Sequence, residues 1–564
     1  MIVTRLIVVC TCLLFLCFQE IYPQGIGETG RTTQAMVASE HAIASQVGER
    51  ILLQGGNAVD AAVGVGFALA VVFPEAGNIG GGGFMVIRFP DGSSTSIDYR
   101  ETAPASAHED VYLDESGNLR REWSLVGARA TGIPGSVAGL LKAWEQYGSL
   151  PLADILNPSI DLARNGFVLQ TKDIRTLSSA RRSLSRFPET SEIFIPGGQA
   201  FRKGDVFIQE DLARTLERIR DRGRDGFYTG EAADLIVETM RKHGGWITHG
   251  DLANYQAIER EPVRVTYRGR EIITMGPPSS GGVALAQMLL MLDNVDLGAY
   301  PNTSIERMHL VAEVMKRAFA HRNVYIGDPD FVPVPLDTLF SVGYNKSLFD
   351  TISMETASQI HVDGADVLVN DESTETTHYS VIDMAGMAVS VTTTINSFFG
   401  SKLVVEGAGF LLNNEMNDFS LQPGVPDQFG LAASPANRIE PGKRMVSAMT
   451  PTIVVYGGEP VLIIGGRGGP RIISSVFHGV INFIDYDMHV SDAIAGPVIH
   501  HQWSPDRLEY IHNTLSFRDV SRLRALGHTV MSRRVFGRVV AIARHGDHLY
   551  GATNLYSGGG IRGY

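Results

Sequence analysis

Apolar positions recur at helical spacing over residues 40–54 and stop at Gly55 and Gly56, which predicts a helix closed by a glycine turn. Asn57 then stands where an N-cap belongs, with Asp60 at the third helical position, and AVDAAVGVGFALAVV carries a second helix to Val72. That helix is apolar almost all round, so it belongs in the interior. GNIGGGGF leads into a strand over 84–89, and a hairpin around Asp91 and Gly92 returns through 94–100. The return strand ends in IDYRETAP, which puts Arg100 and Glu101 at its mouth. Residues 130–260 read as mainly helical, through TGIPGSVAGLLKAWEQYG and LADILNPSIDLARNGF to about Lys242. GPPSSGG (276–282) is a turn opening a helix over 283–292, and 305–322 has the spacing of an amphipathic helix. From about 349 to 375 the pattern weakens into polar and acidic residues, as in an exposed, mobile segment.

At Thr376 the texture changes. THYSVID and MAVSVTTTIN are two β-rich runs around a turn containing Gly386, a hairpin by pattern. Strands are expected near 410–412 and 452–455. VLIIGG then runs into RGGPRIISSVFHGVINFI, a strand, a glycine turn and a helix with Pro470 where helices start. A β-rich stretch over 538–549 closes the chain. Helices, a β-layer and helices again predict a layered α+β protein of αββα order.

Bulk properties narrow the chemistry. At 564 residues, 44% hydrophobic and 19% charged, the chain is globular, with two to four domains or one large composite. A net charge of −13, without a Lys/Arg block, argues against a nucleic-acid partner. Arg5 precedes an apolar run over 6–18, which suits a secretory signal ending near residue 24; an uncleaved anchor is the alternative. After signal removal no membrane span is expected. Cys10, Cys12 and Cys17 all lie in that segment. The remaining chain would hold no disulfide, zinc–thiolate site or thiol nucleophile. An enzyme built this way must attack with oxygen or nitrogen.

GGRGGPR lacks the ending of a phosphate loop, but Gly468 and Gly469 at a helix start offer two consecutive N–H groups to a developing oxyanion. GNIGGGGF reads equally as punctuation or function. Adjacent His500 and His501 cannot both face one ion, and His545 and His548 flank a turn, so no metal and no cofactor are expected. The hydroxyl-rich stretch around Thr376 has neither a G-x-S-x-G elbow nor an S-x-x-K motif. A threonine can instead be activated by its own α-amino group once the preceding peptide bond is cut. That requires a threonine at the first position of a strand after an accessible linker, and Thr376 meets both conditions.

Thr-Thr-His-Tyr-Ser-Val-Ile-Asp, Thr394-Ile395-Asn396, Leu-Leu-Asn-Asn-Glu-Met-Asn-Asp-Phe (411–419) and Gly468 with Gly469 resemble the γ-glutamyltranspeptidases, which are N-terminal nucleophile hydrolases. GGNAVDAAV, IGGGGF, TGIPGSVAGL and PPSSGGVALAQML are similar to their large subunit, so the likeness spans 34–564. The resemblance implies a four-layer αββα sandwich made of two associated chains from one precursor. Residues 1–24 would be the signal, 25–375 the large subunit and 376–564 the small catalytic subunit, cut between Glu375 and Thr376. Thr376 would attack the γ-carbonyl of glutathione or another γ-glutamyl compound, with Thr394 hydrogen-bonding the nucleophile and helping autoprocessing. Gly468 and Gly469 would form the oxyanion hole. Arg100 would grip the substrate α-carboxylate, while Asn396, Glu415 and Asp418 bind its α-ammonium. Acceptors would be water, amino acids or dipeptides, and the protein would be exported, periplasmic or secreted.

Some positions read otherwise, or depart from the family. His378 reads as a strand residue packing beside the site rather than a base, and Asn413 and Asn414 as turn residues. Ser447 keeps one of two adjacent serines of the carboxylate site; Ala448 has lost the other hydroxyl. Arg467 stands where a smaller residue is common, and would steer anionic substrates or sit in solvent. Residues 422–444 resemble a lid, with Phe429 at its aromatic position. Two rivals remain: a cephalosporin or glutaryl acylase on the same scaffold, and a catalytically silent extracellular binding protein.

Overall fold

Alternation of side chains along a few strands sets the order of layers. In the strand Met36–Ser39, Val37 enters one apolar cluster while Met36 and Ala38 enter another. In Gly82–Arg88, Met85 and Ile87 part from Phe84 and Val86 in the same way, as a period of two requires. The first set, with Tyr379, Val381, Val389 and Val391, packs under the helices Ala42–Leu53, Ala58–Val72, Ser136–Tyr147 and Leu152–Asn165. The second set meets another sheet, backed by Ser280–Leu292, Ile305–Tyr325 and Arg471–Asp485. The result is helix, sheet, sheet, helix. This is a computed structural model describing residues 25–360, 374–422, 434–554 and 559–564. The expected signal, residues 361–373 of the polar segment before Thr376, and Phe429 of the lid-like stretch lie outside these residues.

Each sheet has seven strands. One runs Gly560–Gly563, Met36–Ser39, Thr374–Ile382, Ala388–Ser397, Gly82–Arg88, Ser94–Asp98, Ile258–Arg260. The other runs Ile26–Thr32, His548–Asn554, Arg538–His545, Glu459–Arg467, Thr452–Tyr456, Arg270–Thr274, Val263–Tyr267. All neighbours in both sheets are antiparallel. The hairpin expected at 376–396 lies at the centre of its sheet. Asn57 caps the buried helix through a capping box with Asp60, and all fifteen residues of Ala58–Val72 are buried.

Three expectations are corrected. The helix Ile305–Tyr325 is not amphipathic, because most of its polar residues are buried, some with ionic and others with neutral partners. Buried Glu313 meets Arg317 at 2.7 Å, and the Arg307 guanidinium donates to Asn482 Oδ1 at 3.0 Å. Residues 410–412 are not a strand: apart from an isolated bridge between Val404 and Leu411, their backbone bonds fold back onto their own loop, Leu412 N donating to Leu403 O at 2.9 Å. In the uncut chain Thr376 is the third residue of its strand, not the first, because Thr374 already pairs with Ser397. Among the described residues no helix is long and apolar enough to cross a membrane.

Candidate active site

Thr376 faces Thr394 directly across the hairpin, and its hydroxyl lies 3.5 Å from that of Thr394. The same face carries His378 opposite Thr392 and Ser380 opposite Ser390, a polar row turned toward the second sheet. Ser380 Oγ donates to Ile463 O, and the His378 ring occupies the space beside Gly465, where a Cβ would come within 2.3 Å of it. His378 bonds Thr392 and Ser380, and burial pulls its pKa down to about 3. It is therefore neutral and packed, as expected, and unsuited to act as a base near pH 7. Ser380 lies over Ile463 and His378 over Gly465, so Thr376 lies at the end of the sandwich where Glu459–Arg467 stops. Gly468 and Gly469 follow there at φ 134° and 57°, values that L side chains rarely adopt. Their carbonyls accept from Arg471 N and Ile472 N at the start of Arg471–Asp485.

The partner strand carries one extra residue between Thr394 and Ser397, and Asn396 sits there at φ 73°. A bulge re-aims the side chain at such a point, and asparagine tolerates this backbone better than most residues. Its N–H donates to Thr394 Oγ1 at 2.7 Å, fixing that hydroxyl beside Thr376. Its amide donates to Asn414 O and to Asp418 Oδ1, both at 3.0 Å. Asn413 and Asn414 do more than satisfy a turn. Asn413 bonds Gly80 and Gly132, and Asn414 bonds Ser397, which ties the 411–419 loop to the hairpin.

Arg100 stands just past the strand Ser94–Asp98 and is 1% exposed. Its guanidinium meets Glu415 Oε2 at 2.7 Å, Asp418 Oδ2 at 2.5 Å and Glu101 Oε2 at 3.4 Å. It also donates to the carbonyls of Met445 and Val446. One cation thus faces three carboxylates. Burial pushes Glu101 and Glu415 above the usual carboxylate range, although Arg100 opposes it. Among the described residues, Oε1 of Glu415 is buried without a hydrogen-bond partner. The carboxylate and ammonium of an α-amino acid share one carbon, so receptors for them must be neighbours; this cluster meets that condition. Beside it, Ser447 N donates to Pro278 O, and Ser280 donates to Ser447 O through both N and Oγ. That contact accounts for the GPPSSGG turn. Ser447 Oγ accepts from Met449 N at 3.1 Å, and Ala448 is half-buried.

Several neighbours were not anticipated. Asn78 donates to Thr394 O at 3.0 Å and accepts from Gly81 N and Ser136 Oγ. Asn437 donates to Asp418 O and accepts from Val446 N. GNIGGGGF contained the signal for Asn78. A Cβ at Gly81 would fall 2.1 Å from Thr394 O, and one at Gly82 would fall 2.5 Å from Glu101 Oε2, so the glycines admit backbone close to the site. Arg467, expected in solvent or steering substrate, does neither: it is 1% exposed and paired with Glu40 at 3.0 Å. Among the described residues one trio has ligand-like spacing, His309, Glu313 and His528, all buried. It lies in the ionic network of Ile305–Tyr325, where Arg317, Lys316 and Ser358 N already occupy the Glu313 carboxylate.

The Gamma-glutamyltranspeptidase family model matches residues 44–564. The chain is 44% identical to a glutathione hydrolase proenzyme of Escherichia coli (strain K12), over 93% of this chain and 90% of that one. It is 38% identical to an acylase ACY 1 proenzyme of Pseudomonas sp. (strain V22), over 91% and 90%. A cephalosporin acylase from Bacillus halodurans superposes with a TM-score of 0.83 at 26% identity, over 95% of this chain and 97% of that one. A γ-glutamyltranspeptidase chain from Helicobacter pylori gives 0.56 at 44% identity, over 56% and 91%. With the threonine pair and the arginine–carboxylate cluster held on this sandwich, the chain belongs to the gamma-glutamyltranspeptidase family.

Proposed function

We propose that this protein is a γ-glutamyltransferase and glutathione hydrolase that activates itself by cutting between Glu375 and Thr376. The carrying observation is the Arg100, Glu415 and Asp418 cluster beside the hairpin that holds Thr376 and Thr394. In the uncut chain Thr376 Oγ1 adds to the carbonyl carbon of Glu375. The C–N bond breaks as nitrogen takes the proton, and water then splits the resulting ester. The products are a large fragment over 25–375, after loss of a signal over 1–24, and a small fragment of 189 residues over 376–564. They stay associated as a heterodimer because the central sheet takes strands from both.

The freed amine of Thr376 then removes the proton from its own hydroxyl, the two groups being held on one residue. Oγ1 attacks the γ-carbonyl, and the developing oxyanion meets the N–H groups of Gly468 and Gly469. The amine returns its proton to the departing nitrogen, leaving a γ-glutamyl ester on Thr376. Water, an amino acid or a dipeptide, deprotonated by the same amine, attacks the ester and restores the hydroxyl. Arg100 and Ser447 hold the donor α-carboxylate, with the backbone N–H of Ala448 in place of the missing second hydroxyl. Asn396, Glu415 and Asp418 hold the α-ammonium. The N-terminal apolar run supports export to the periplasm or beyond.

The acylase reading draws support from the relatives of that name. A glutaryl group, however, has no ammonium to set against the Glu101, Glu415 and Asp418 carboxyls, two of them fully buried. Processed protein is expected to release p-nitroaniline from γ-glutamyl-p-nitroanilide at least about 100-fold faster, in kcat/KM, than from the glutaryl anilide, since losing a charged contact of about 3 kcal/mol costs that much. The reverse preference would transfer the assignment to the acylase.

A further inference from the structure

Gly468 and Gly469 have no side chains to anchor them, yet an oxyanion hole works only if its N–H groups are fixed before the charge develops. On the C-terminal side the fixing is visible: the helix Arg471–Asp485 captures both glycine carbonyls, and Arg471 forks onto Glu509 at 2.7 and 2.9 Å. On the N-terminal side stands Arg467, the last residue of Glu459–Arg467, paired in register with Arg538. Its side chain turns away from solvent into the other fragment. Nε lies 3.0 Å from Glu40 Oε2, Nη1 lies 3.6 Å from Glu75 Oε1, and the guanidinium covers the Phe73 ring at 5.2 Å. Glu40 and Glu75 are both buried, and Lys172 stands over the same ring at 5.1 Å.

The turn that holds Arg467 also serves the nucleophile. Glu75 O accepts from Phe399 N at 3.1 Å, just beyond the hairpin strand Ala388–Ser397. Three residues further on, Asn78 holds Thr394 O. Residues 73–78 of the large fragment therefore grip both the strand facing Thr376 and the strand end that carries the two glycines. We propose that Arg467 is a positioning residue: its buried ion pairs with Glu40 and Glu75 set the direction of the Gly468 and Gly469 N–H groups relative to Thr376. A planar guanidinium suits this task because its spread charge can face both buried carboxylates at once, whereas an ammonium is a point charge. The proposal rests on the γ-glutamyl-transfer reading above. An inactive wild-type protein would sink that reading, whereas the ratio of variant to wild type tests this proposal.

Arg467→Met keeps an apolar side chain beside Phe73 and removes both ion pairs. Misaimed oxyanion donors weaken binding of the transition state and leave the ground state alone. Per processed active site, kcat for γ-glutamyl-p-nitroanilide hydrolysis should fall by about 10- to 100-fold, somewhat less than for outright loss of a donor, with donor KM within about 2-fold. Arg467→Lys should recover part of that kcat. The double variant Glu40→Gln, Glu75→Gln should lower kcat in the same way, and adding Arg467→Met to it should cost little more, because all three act through one contact. A purely structural role would lower thermal stability and leave kcat per processed site unchanged. Processed Arg467→Met with kcat within 2-fold of wild type, or a loss expressed wholly in KM, would overturn the proposal. If Arg467→Met does not fold or mature, the Glu40→Gln, Glu75→Gln protein decides by the same criterion.

Discussion

Thr376→Ala is expected to accumulate as one uncut chain, with donor hydrolysis reduced by about 10⁵- to 10⁶-fold, to the assay floor, as when other hydrolases lose their nucleophile. The size follows from one hydroxyl serving twice. Without Oγ1 nothing adds to the Glu375 carbonyl, so the α-amine is never freed. The variant thus loses nucleophile and base together. Stability is not the cause: Thr376 is 6% exposed, and its hydroxyl lies a long 3.5 Å from that of Thr394, so the fold loses about 1 kcal/mol. Thr376→Ser keeps an oxygen at the same atom and should mature, more slowly, to a protein of reduced activity. Denaturing electrophoresis, intact mass and N-terminal sequencing read all three forms. A cut Thr376→Ala protein, or one with substantial turnover, would remove Thr376 from the mechanism.

The central hairpin was legible because β-branched residues crowd 376–396 on both sides of a glycine turn. The buried second helix was legible from its all-round apolar surface and the Asn57 cap. Pattern alone could not show that Met36–Ser39 and Gly560–Gly563, at opposite ends of the chain, pair with each other. Sequence separation hides such partners. The bulge at Asn396 was equally hidden, since it depends on counting residues against a partner strand. Helix Ile305–Tyr325 misled for another reason: charges at helical spacing mark a polar face, but nothing local says whether water or other charges meet it. The site shows both limits. Thr376 could be argued from the chemistry of a chain whose three cysteines all lie in the expected signal, whereas Arg100 lies more than 300 residues from Glu415 and Asp418 in sequence and was united with them only through family resemblance.

Arg100→Met should raise donor KM by about 100-fold or more, since each charge-assisted hydrogen bond to the carboxylate is worth about 1.5–3 kcal/mol. Its effect on stability should depend on pH, and the sign is fixed by the neighbours. Glu101 and Glu415 already bind protons more tightly in the folded chain than when unfolded, because burial outweighs the attraction of Arg100. A raised folded pKa contributes stability that is fully present below the ordinary carboxylate range and is lost as pH rises through the raised value. Among the described residues Arg100 is the one cation paired with them, so removing it raises both values further and the loss grows. Wild type and Arg100→Met should therefore melt closest together near pH 5 and diverge toward pH 9, the gap reaching on the order of 3 kcal/mol. Calorimetry at four or five pH values checks this, with the small fragment quantified in each sample. A gap that stays flat or narrows with rising pH would mean that the three carboxylates do not depend on Arg100 for their charge. The same balance reaches catalysis, because a donor ammonium must find Glu415 ionised and so displaces its proton on binding. In the wild-type protein donor KM should fall as pH rises and Glu415 gives up its proton more readily, separately from the rise in kcat as the Thr376 amine becomes neutral in the ordinary α-amino range of about 8.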